Sequence, residues 1–353
     1  MDKLTRRGFL IGAGGAAIAL IAGCVPAVRT NVQATTERGF GATDVPSLGP
    51  TPTPGAKSAV SAPDKIVITP TDEFYEQSYS ETAEVDPAKY TLTVDGLVDT
   101  PLKLRLDDVK ALPSETFMRT LECIGNPVGG PLIGNTNWKG FKISDLLSRA
   151  RVQSKATHAR FEAADGYFTS VELKWLSQPD TILVYEMNGE PLPPEHGFPL
   201  RILMPGLYGQ KMPKWITHIE FIDHAQAGIW EEQGWSYTAS VKTNSIVKYP
   251  ESDNISAGPQ VIYGVAFAGD REITDVEVQV DDGEWKKAQL LKGPQYVWTQ
   301  WAIEWNATPG RHTLSARASD ATGFTQSGRA SGFLSGSFPA GTDAIHSVLV
   351  SAA

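Results

Sequence analysis

The stretch YEMNGEPLPPEHGFPLRILMPGLYGQKMPKW, residues 185–215, contains an apolar-rich strand candidate, PLRILMPG, and a run of cationic side chains. KWITHIEFID, which begins inside it, is a second strand candidate. Upstream, HARFEAADGYFTSVEL predicts two strands flanking Asp165-Gly166, and FKISDLLSRA predicts a helix beginning near Ser144. Strands and short helices therefore mix from Pro63 to about Ala227, which predicts an α+β domain.

The sequence changes character after Ile255. VIYGVAFAG, DVEVQVDDGEW, YVWTQWAIEW and HTLSARASD follow one another at short intervals, separated by turn sequences. Strands at this spacing predict a small β-sandwich. Three tryptophans in this region, Trp298, Trp301 and Trp305, are interpreted as core or interface packing rather than as a ligand site.

Length and charge limit the possible functions. A chain of 353 residues that is 41% hydrophobic suits two domains with real cores. The formal net charge is −9, which argues against a nucleic-acid partner because such a partner needs a basic face. A small basic pocket for a phosphorylated ligand stays possible.

The first 23 residues are interpreted as an export signal. TRRGFL, residues 5–10, is a twin-arginine signature followed by an apolar run too short to span a bilayer. LIAGC, ending at Cys24, resembles a lipobox, so we expect lipid on that thiol. An ordinary secretory signal and a chance cysteine are the alternatives. Residues 24–62 are rich in Pro, Thr, Ser and Ala and predict a flexible tether.

The chain contains two cysteines, Cys24 and Cys123. If Cys24 carries lipid, then Cys123, in RTLECIGNPVGG at residues 119–130, has no partner for an intramolecular disulfide. A free thiol outside the cytoplasm is a liability when exposed. Cys123 is therefore either a buried, inert core residue or a metal ligand.

Three segments together resemble the sulfite oxidase family of molybdopterin-dependent oxidoreductases. They are TLECIGNPVGGPLIGNTNWKG at residues 120–140, the stretch at residues 185–215, and the C-terminal strand-rich region, in the family's order. The resemblance implies a molybdopterin-binding domain over residues 63–240. It also implies an immunoglobulin-like dimerisation domain over residues 241–353, hence a homodimer.

The resemblance also assigns roles to individual residues. It implies that Cys123 binds molybdenum through its sulfur, a soft donor suited to a redox metal. It places the remaining cofactor contacts at Asn126, Asp165, Ser170, His196, Arg201, Lys211 and Lys214. The alternatives are that the two lysines are solvated surface charges, that His196 caps a turn, and that Asp165 only begins the Asp-Gly turn.

The substrate side departs from the family pattern. Sulfite-oxidising members hold an oxyanion with arginines, whereas the matching positions here are Val128 and Gln77, and Trp235 stands where those enzymes have a tyrosine. Each lost charge-assisted hydrogen bond is worth roughly 1.5–3 kcal/mol. Trp235 and Tyr237 predict an aromatic entrance for a neutral S-oxide or N-oxide substrate, with sulfite dehydrogenase activity as the alternative.

Electrons need a separate carrier, because two cysteines provide neither a CxxCH haem attachment nor a four-cysteine cluster. We expect this carrier to be a cytochrome or a quinone-linked membrane subunit. We also expect the lipid on Cys24 to hold this chain on the outer face of the bacterial cell membrane, close to such carriers. Two functions of other classes stay open. One is a thiol hydrolase with Cys123 as nucleophile and His196 or His158 as base. The other is a non-catalytic, lipid-anchored surface module.

Overall fold

The computed structural model describes residues 64–250 and 254–353. The predicted export signal, Cys24 and the predicted tether lie outside the described residues. Within the described ranges, no helix has both the length and the apolar character needed to cross a bilayer.

The first sheet has five strands in the order β2-β1-β10-β5-β6. Their bounds are β1 Thr91–Gly96, β2 Leu102–Arg105, β5 His158–Ala163, β6 Phe168–Glu172 and β10 Ile216–Ile222. β1 and β10 pair in parallel, and the other neighbours are antiparallel. In β5 every second side chain is buried, as expected of a strand with one face on a core. The Asp165-Gly166 turn joins β5 to β6, as the sequence predicts.

The second sheet carries the loop that contains Cys123. It has the order β3-β4-β7-β8, with β9 also paired to β7. The strands are β3 Glu115–Glu122, β4 Ile133–Lys142, β7 Ile182–Met187, β8 Glu190–Pro191 and β9 Arg201–Leu203. Glu122 pairs with Ile133 at the end of the antiparallel β3-β4 ladder, so Cys123 is the first residue beyond it.

Helices in the described part of the chain are short. They are α1 Leu106–Lys110, α2 Ser144–Ala150, α3 Leu173–Leu176 and α4 Ile229–Glu232, with 3-10 turns at Thr71–Glu73, Pro194–His196, Gly209–Lys211 and Phe333–Gly336. The fold therefore mixes helix and strand as predicted, but strands predominate.

The C-terminal region forms two further sheets. One has the order β11-β13-β17-β16, with β11 Asn244–Tyr249, β13 Gly258–Phe267, β16 Gln289–Leu291 and β17 Thr299–Ala307. The other has the order β12-β19-β18-β14-β15, with β12 Asn254–Ile255, β14 Ile273–Val280, β15 Lys286–Lys287, β18 Gly310–Asp320 and β19 His346–Ala352. We call residues 244–353 the C-terminal unit.

Within the residues that the structure describes, buried apolar side chains form three clusters. The largest lies among the first ten strands and includes Trp138 and Phe221. A second lies between the two C-terminal sheets and includes Trp301, with Trp305 packed against it. A third joins the C-terminal unit to the Cys123 loop, since it contains both Ile124 and Trp298. The tryptophans thus pack in cores and at an interface, which confirms that prediction.

Candidate active site around Cys123

Hydrogen bonds hold the Cys123 loop, residues 123–132, in one shape. The backbone N–H of Cys123 donates to the Leu132 carbonyl at 3.0 Å. Asn126, which is buried, accepts from the Leu132 N–H through Oδ1 at 2.9 Å and donates through Nδ2 to Glu122 Oε1 at 3.0 Å. Asn126 therefore connects the two ends of the loop, and its predicted cofactor contact stays a prediction.

Glu122 is a buried carboxyl that precedes the thiol directly. Besides Asn126, its donor is Nδ2 of Asn244, at 3.0 Å from Oε2 and 3.3 Å from Oε1. Burial raises the pKa of Glu122 to about 7, and the two amide donors partly oppose that rise. No sequence pattern pointed to Glu122, because its second donor is 122 residues away in the chain.

The thiol of Cys123 is free and partly buried. Burial raises its pKa to about 11, while the Gly125 backbone N–H lowers it and Glu122 raises it further. A Cβ placed on Gly125 would lie 3.8 Å from the Cys123 sulfur and 3.6 Å from the Trp235 ring, so sulfur and ring flank the same point. Nothing among the protein groups facing this thiol makes it a thiolate at neutral pH.

Arg201 is the buried cation of the site. Its Nη1 donates to the His196 carbonyl at 3.0 Å, and its guanidinium lies 5.1 Å from the Trp138 ring centre. Its Nε is buried and has no hydrogen-bond partner. Burial lowers the pKa of Arg201 to about 10, and nearby Tyr75 opposes that shift. A buried donor without an acceptor is costly, so this one favours an incoming anion.

His196 and Lys214 lie close enough to Arg201 for its charge to affect the pKa of each. Nε2 of His196 is 3.2 Å from the Thr71 carbonyl, and burial lowers the pKa of the ring to about 4, with Arg201 adding to the effect. Lys214 donates to Ser78 Oγ at 2.6 Å and to the Glu195 carbonyl at 2.7 Å. Burial, followed by repulsion from Arg201, lowers the pKa of Lys214 to about 7.

Lys211 and Ser170 already have protein partners. Nζ of Lys211 forms a fully buried ion pair with Glu231 and donates to the Ser170 carbonyl at 3.0 Å. The Ser170 hydroxyl donates to the Gln226 carbonyl and accepts from the Gln226 N–H. Their predicted cofactor contacts stay predictions, since both side chains serve to join α4 and its neighbours to β6.

Asp165 lies in the β5-β6 turn, where its Oδ1 accepts from the Tyr167 N–H at 3.0 Å. Burial raises the pKa of Asp165, and Lys214 opposes the rise. The carboxyl therefore both builds the turn, as the simpler alternative held, and faces Lys214.

Of the two predicted aromatic residues, the structure brings one to the thiol. Trp235 lies against Gly125, as described, whereas the Tyr237 side chain is 61% exposed. Tyr75 is a site residue that sequence reasoning missed. Burial raises the pKa of Tyr75 well above its usual value, the charge of Cys123 adds to the rise, and Arg201 opposes it. The neighbouring Phe74 is buried and packs edge-on against Trp138. The sequence around these two rings has no pattern that predicts a role for Tyr75 in the site.

In the described ranges, no group of three or more His, Cys, Asp or Glu side chains could hold a metal ion together. No hydrogen bond joins Cys123 to a histidine in the described part of the chain, so a thiol–histidine pair is not formed.

Comparisons with known proteins cover the part of the chain that contains Cys123. The family model described as "Oxidoreductase molybdopterin binding domain" matches residues 79–230. The chain is 30% identical over 327 residues to an NADH nitrate reductase of Hordeum vulgare, covering 73% of this chain and 36% of that protein. It is 29% identical over 284 residues to the sulfite oxidase of Arabidopsis thaliana, covering 65% of this chain and 72% of that one.

The fold also matches a solved structure, the sulfane dehydrogenase SoxCD from Paracoccus pantotrophus. The TM-score is 0.71 at 22% identity, over 91% of this chain and 95% of that chain. The chain spans about a third of the length of several nitrate reductases that it matches, 35% in Volvox carteri and 36% in Hordeum vulgare.

Proposed function

Because the chain belongs to the sulfite oxidase family of molybdopterin-dependent oxidoreductases, we propose that it transfers an oxygen atom to or from a small molecule at Cys123. The molybdenum–pyranopterin cofactor supplies the two-electron redox chemistry when bound. The protein contributes binding, orientation and the electrostatics of the pocket. The carrying observation is that the described part of the chain has one free thiol, Cys123, and a buried arginine, Arg201, whose Nε has no hydrogen-bond acceptor.

The residues present fit that cofactor. Cys123 offers one sulfur donor without companion ligands, which suits a metal whose other ligands come with the pterin. Arg201 has an unpaired buried Nε, and Lys214 is a partly buried lysine whose charge Arg201 repels. An anionic phosphate would relieve both costs at once. These two cations are the residues that would hold the phosphate end.

We propose a neutral S-oxide or N-oxide as substrate rather than sulfite. The support is the aromatic ring of Trp235 beside the thiol, together with Val128 and Gln77 at positions that would have to hold an oxyanion. Sulfite dehydrogenase activity is the alternative within the same family. Both reactions move one oxygen atom and two electrons, with water as the source or sink of oxygen.

We also propose that electrons pass to or from a separate carrier, a cytochrome or quinone-linked membrane subunit. The twin-arginine and lipobox signals support export and attachment by lipid on Cys24 to the outer face of the cell membrane. The family resemblance supports an immunoglobulin-like C-terminal unit that forms a homodimer. Mass spectrometry of the membrane-extracted protein tests the lipid, and light scattering tests the dimer.

The two functions of other classes have less support. A thiol hydrolase needs an activated nucleophile, yet the pKa of Cys123 is raised to about 11 and its hydrogen bonds include no histidine. A non-catalytic module gives no reason for a buried arginine, Arg201, whose Nε has no acceptor.

Metal and pterin analysis tests the proposal first. We expect about one molybdenum and one pterin per chain in wild type, and no turnover by Cys123→Ser, which replaces the sulfur donor with a hard oxygen. Assays with sulfite, dimethyl sulfoxide and trimethylamine N-oxide, using artificial carriers, then identify the substrate. Wild-type protein that binds no pterin under molybdenum-replete expression contradicts the proposal, as does a Cys123→Ser variant that retains full activity.

A further inference from the structure

The C-terminal unit sends one segment, residues 331–345, to the Cys123 loop. The buried Ser337 hydroxyl lies 2.9 Å from the Leu334 carbonyl, its nearer acceptor, and 3.4 Å from the Gly125 carbonyl. The Ser236 N–H donates to the Pro339 carbonyl at 2.9 Å. Gly341, with φ of +77°, packs so closely on the Tyr208 hydroxyl that a Cβ there would overlap it. The segment is thus fixed against the loop that bears the thiol and against the residue after Trp235.

Three aromatic rings line up along this contact. Trp235 lies beside the sulfur of Cys123, through the shared approach to Gly125. The Phe338 ring packs edge-on against Trp235 with centroids 5.1 Å apart, and the Phe333 ring packs edge-on against Phe338 at 6.0 Å. Phe333 is 70% exposed. We call Trp235, Phe338 and Phe333 the aromatic row, which runs outward from the thiol to the surface.

The row presents little charge to whatever lies along it. Its three side chains are uncharged, as are Val128 of the Cys123 loop and Gln77. Covering a large exposed aromatic side chain such as Phe333 with another apolar group lowers the free energy, because apolar surface is removed from water. Phe333 is mostly in water, and Phe338 packs on Trp235, a residue outside the C-terminal unit.

We propose that the aromatic row is the specificity-determining wall of the substrate site, and that it binds the apolar or aromatic substituent of an organic sulfoxide. This inference rests on the proposed oxygen-transfer function. The reaction is R₂SO + 2 e⁻ + 2 H⁺ → R₂S + H₂O: the S–O bond breaks, the sulfoxide is reduced, and a separate reduced carrier provides the electrons. Phe338 and Phe333 position the substituent while the oxygen-bearing sulfur atom reaches the site at Cys123.

Kinetics with two substrates of different size test the wall. In the holoprotein with a reduced viologen as electron donor, wild type should show a lower KM for methyl phenyl sulfoxide than for dimethyl sulfoxide. Phe338→Ala should raise the KM for the phenyl substrate roughly tenfold, about 1.4 kcal/mol. Phe333→Ala should raise it less, because the Phe333 ring lies one ring further from the thiol. Both variants should leave the KM for dimethyl sulfoxide within about twofold of wild type. Phe338→Leu, which keeps apolar volume against Trp235, should fall between Phe338→Ala and wild type.

Phe324→Ala is the matched control, since Phe324 is a 40% exposed phenylalanine of the same unit outside the row. Its KM values should equal those of wild type. Equal loss with both substrates, or no change in either row variant, overturns the proposal. Phe333 is largely exposed, so its variant should fold even if Phe338→Ala does not.

A binding measurement separates failure of this inference from failure of the proposed function. Methyl phenyl sulfone resists reduction, and its affinity for the holoprotein can be measured by calorimetry without turnover. Weaker sulfone binding in the row variants supports the wall even if no sulfoxide is reduced. If wild type reduces sulfoxides but binds the sulfone no better than the row variants do, oxygen transfer stands and the wall is overturned.

Discussion

Asn244, the first residue of β11, donates a hydrogen bond to Glu122, the residue before Cys123, at 3.0 Å. Asn126, inside the Cys123 loop, supplies the second amide to the same carboxyl at 3.0 Å. One buried carboxyl thus connects the C-terminal unit to the proposed metal ligand. Loss of either amide donor to Glu122 should therefore lower both the stability of the protein and its retention of the cofactor.

Asn244→Ala should lower the free energy of unfolding by about 1–3 kcal/mol, because it leaves a buried carboxyl with one donor fewer. Urea titration of the apo protein measures this change. Asn306→Ala, at an exposed position of β17, is the control and should stay within about 0.5 kcal/mol of wild type. Equal stability of the two variants would show that the Asn244–Glu122 bond contributes nothing.

Lys214 should make the stability of the apo protein depend on pH. Its folded pKa is lowered to about 7, against a usual value near 10.5. Between these values the unfolded chain binds more protons, so stability should rise with pH from about 7 to about 10. In Lys214→Met this rise should be smaller. Thermal melts at several pH values compare the two proteins, and parallel curves would contradict the prediction.

Lys214 lowers the stability of the apo protein near neutral pH, but it should favour binding of the cofactor. Lys214→Met should retain at least about fivefold less pterin than wild type, because one cation for the phosphate is lost, a loss of order 1 kcal/mol. Lys214→Arg should retain more than Lys214→Met. Lys103→Gln, at an exposed site on β2, should bind pterin like wild type. Fluorescence of the released, oxidised pterin gives the measurement.

Asp320 should make the C-terminal unit sensitive to acid. Hydrogen bonds from Thr243, Thr322 and Arg271 hold the pKa of this carboxyl well below its usual value, despite its burial. A lowered carboxyl pKa adds stability that is present above the unfolded pKa near 3.9 and is lost as pH falls below it. Asp320→Asn should therefore lose stability relative to wild type at pH 7, and the difference should shrink below about pH 4.

Arginine at the two substituted positions should bring back affinity for sulfite. In Gln77→Arg/Val128→Arg, the KM for sulfite should fall at least tenfold relative to wild type, since each charge-assisted hydrogen bond is worth roughly 1.5–3 kcal/mol. Gln77→Leu/Val128→Leu controls for side-chain size. Steady-state assays with ferricyanide provide the comparison, and an unchanged KM in the arginine variant would remove the specificity argument.

The sequence predicted local features well. The α2 helix, the β5-β6 hairpin and the strands β9 and β10 lie where the patterns placed them, because each depends on neighbours in the chain. The alternating core positions of β18, Leu314, Ala316 and Ala318, are fully buried. Periodicity decides such elements, and it is read directly from the sequence.

Contacts between distant residues were not predictable in this way. Lys211 reads as a member of a cationic run, yet the structure pairs it with Glu231, twenty residues away. Glu122 and Asn244 are 122 residues apart, and neither stands in a motif. Phe338 lies in a loop of the C-terminal unit, so only the fold brings it to Trp235. Residues far apart carry no shared pattern in one sequence, however close they lie in space.

The segment at residues 331–345 has a consequence for how such proteins can diversify. Since Ser337 and Pro339 bond to backbone groups next to the thiol and next to Trp235, the C-terminal unit is not an interchangeable attachment. A recombinant that exchanged it for another sheet module would also exchange part of the entrance. The C-terminal unit and the domain that contains Cys123 should therefore be inherited together. New substrate specificities should arise by substitutions in the segment at residues 331–345 rather than at the residues proposed to hold the cofactor.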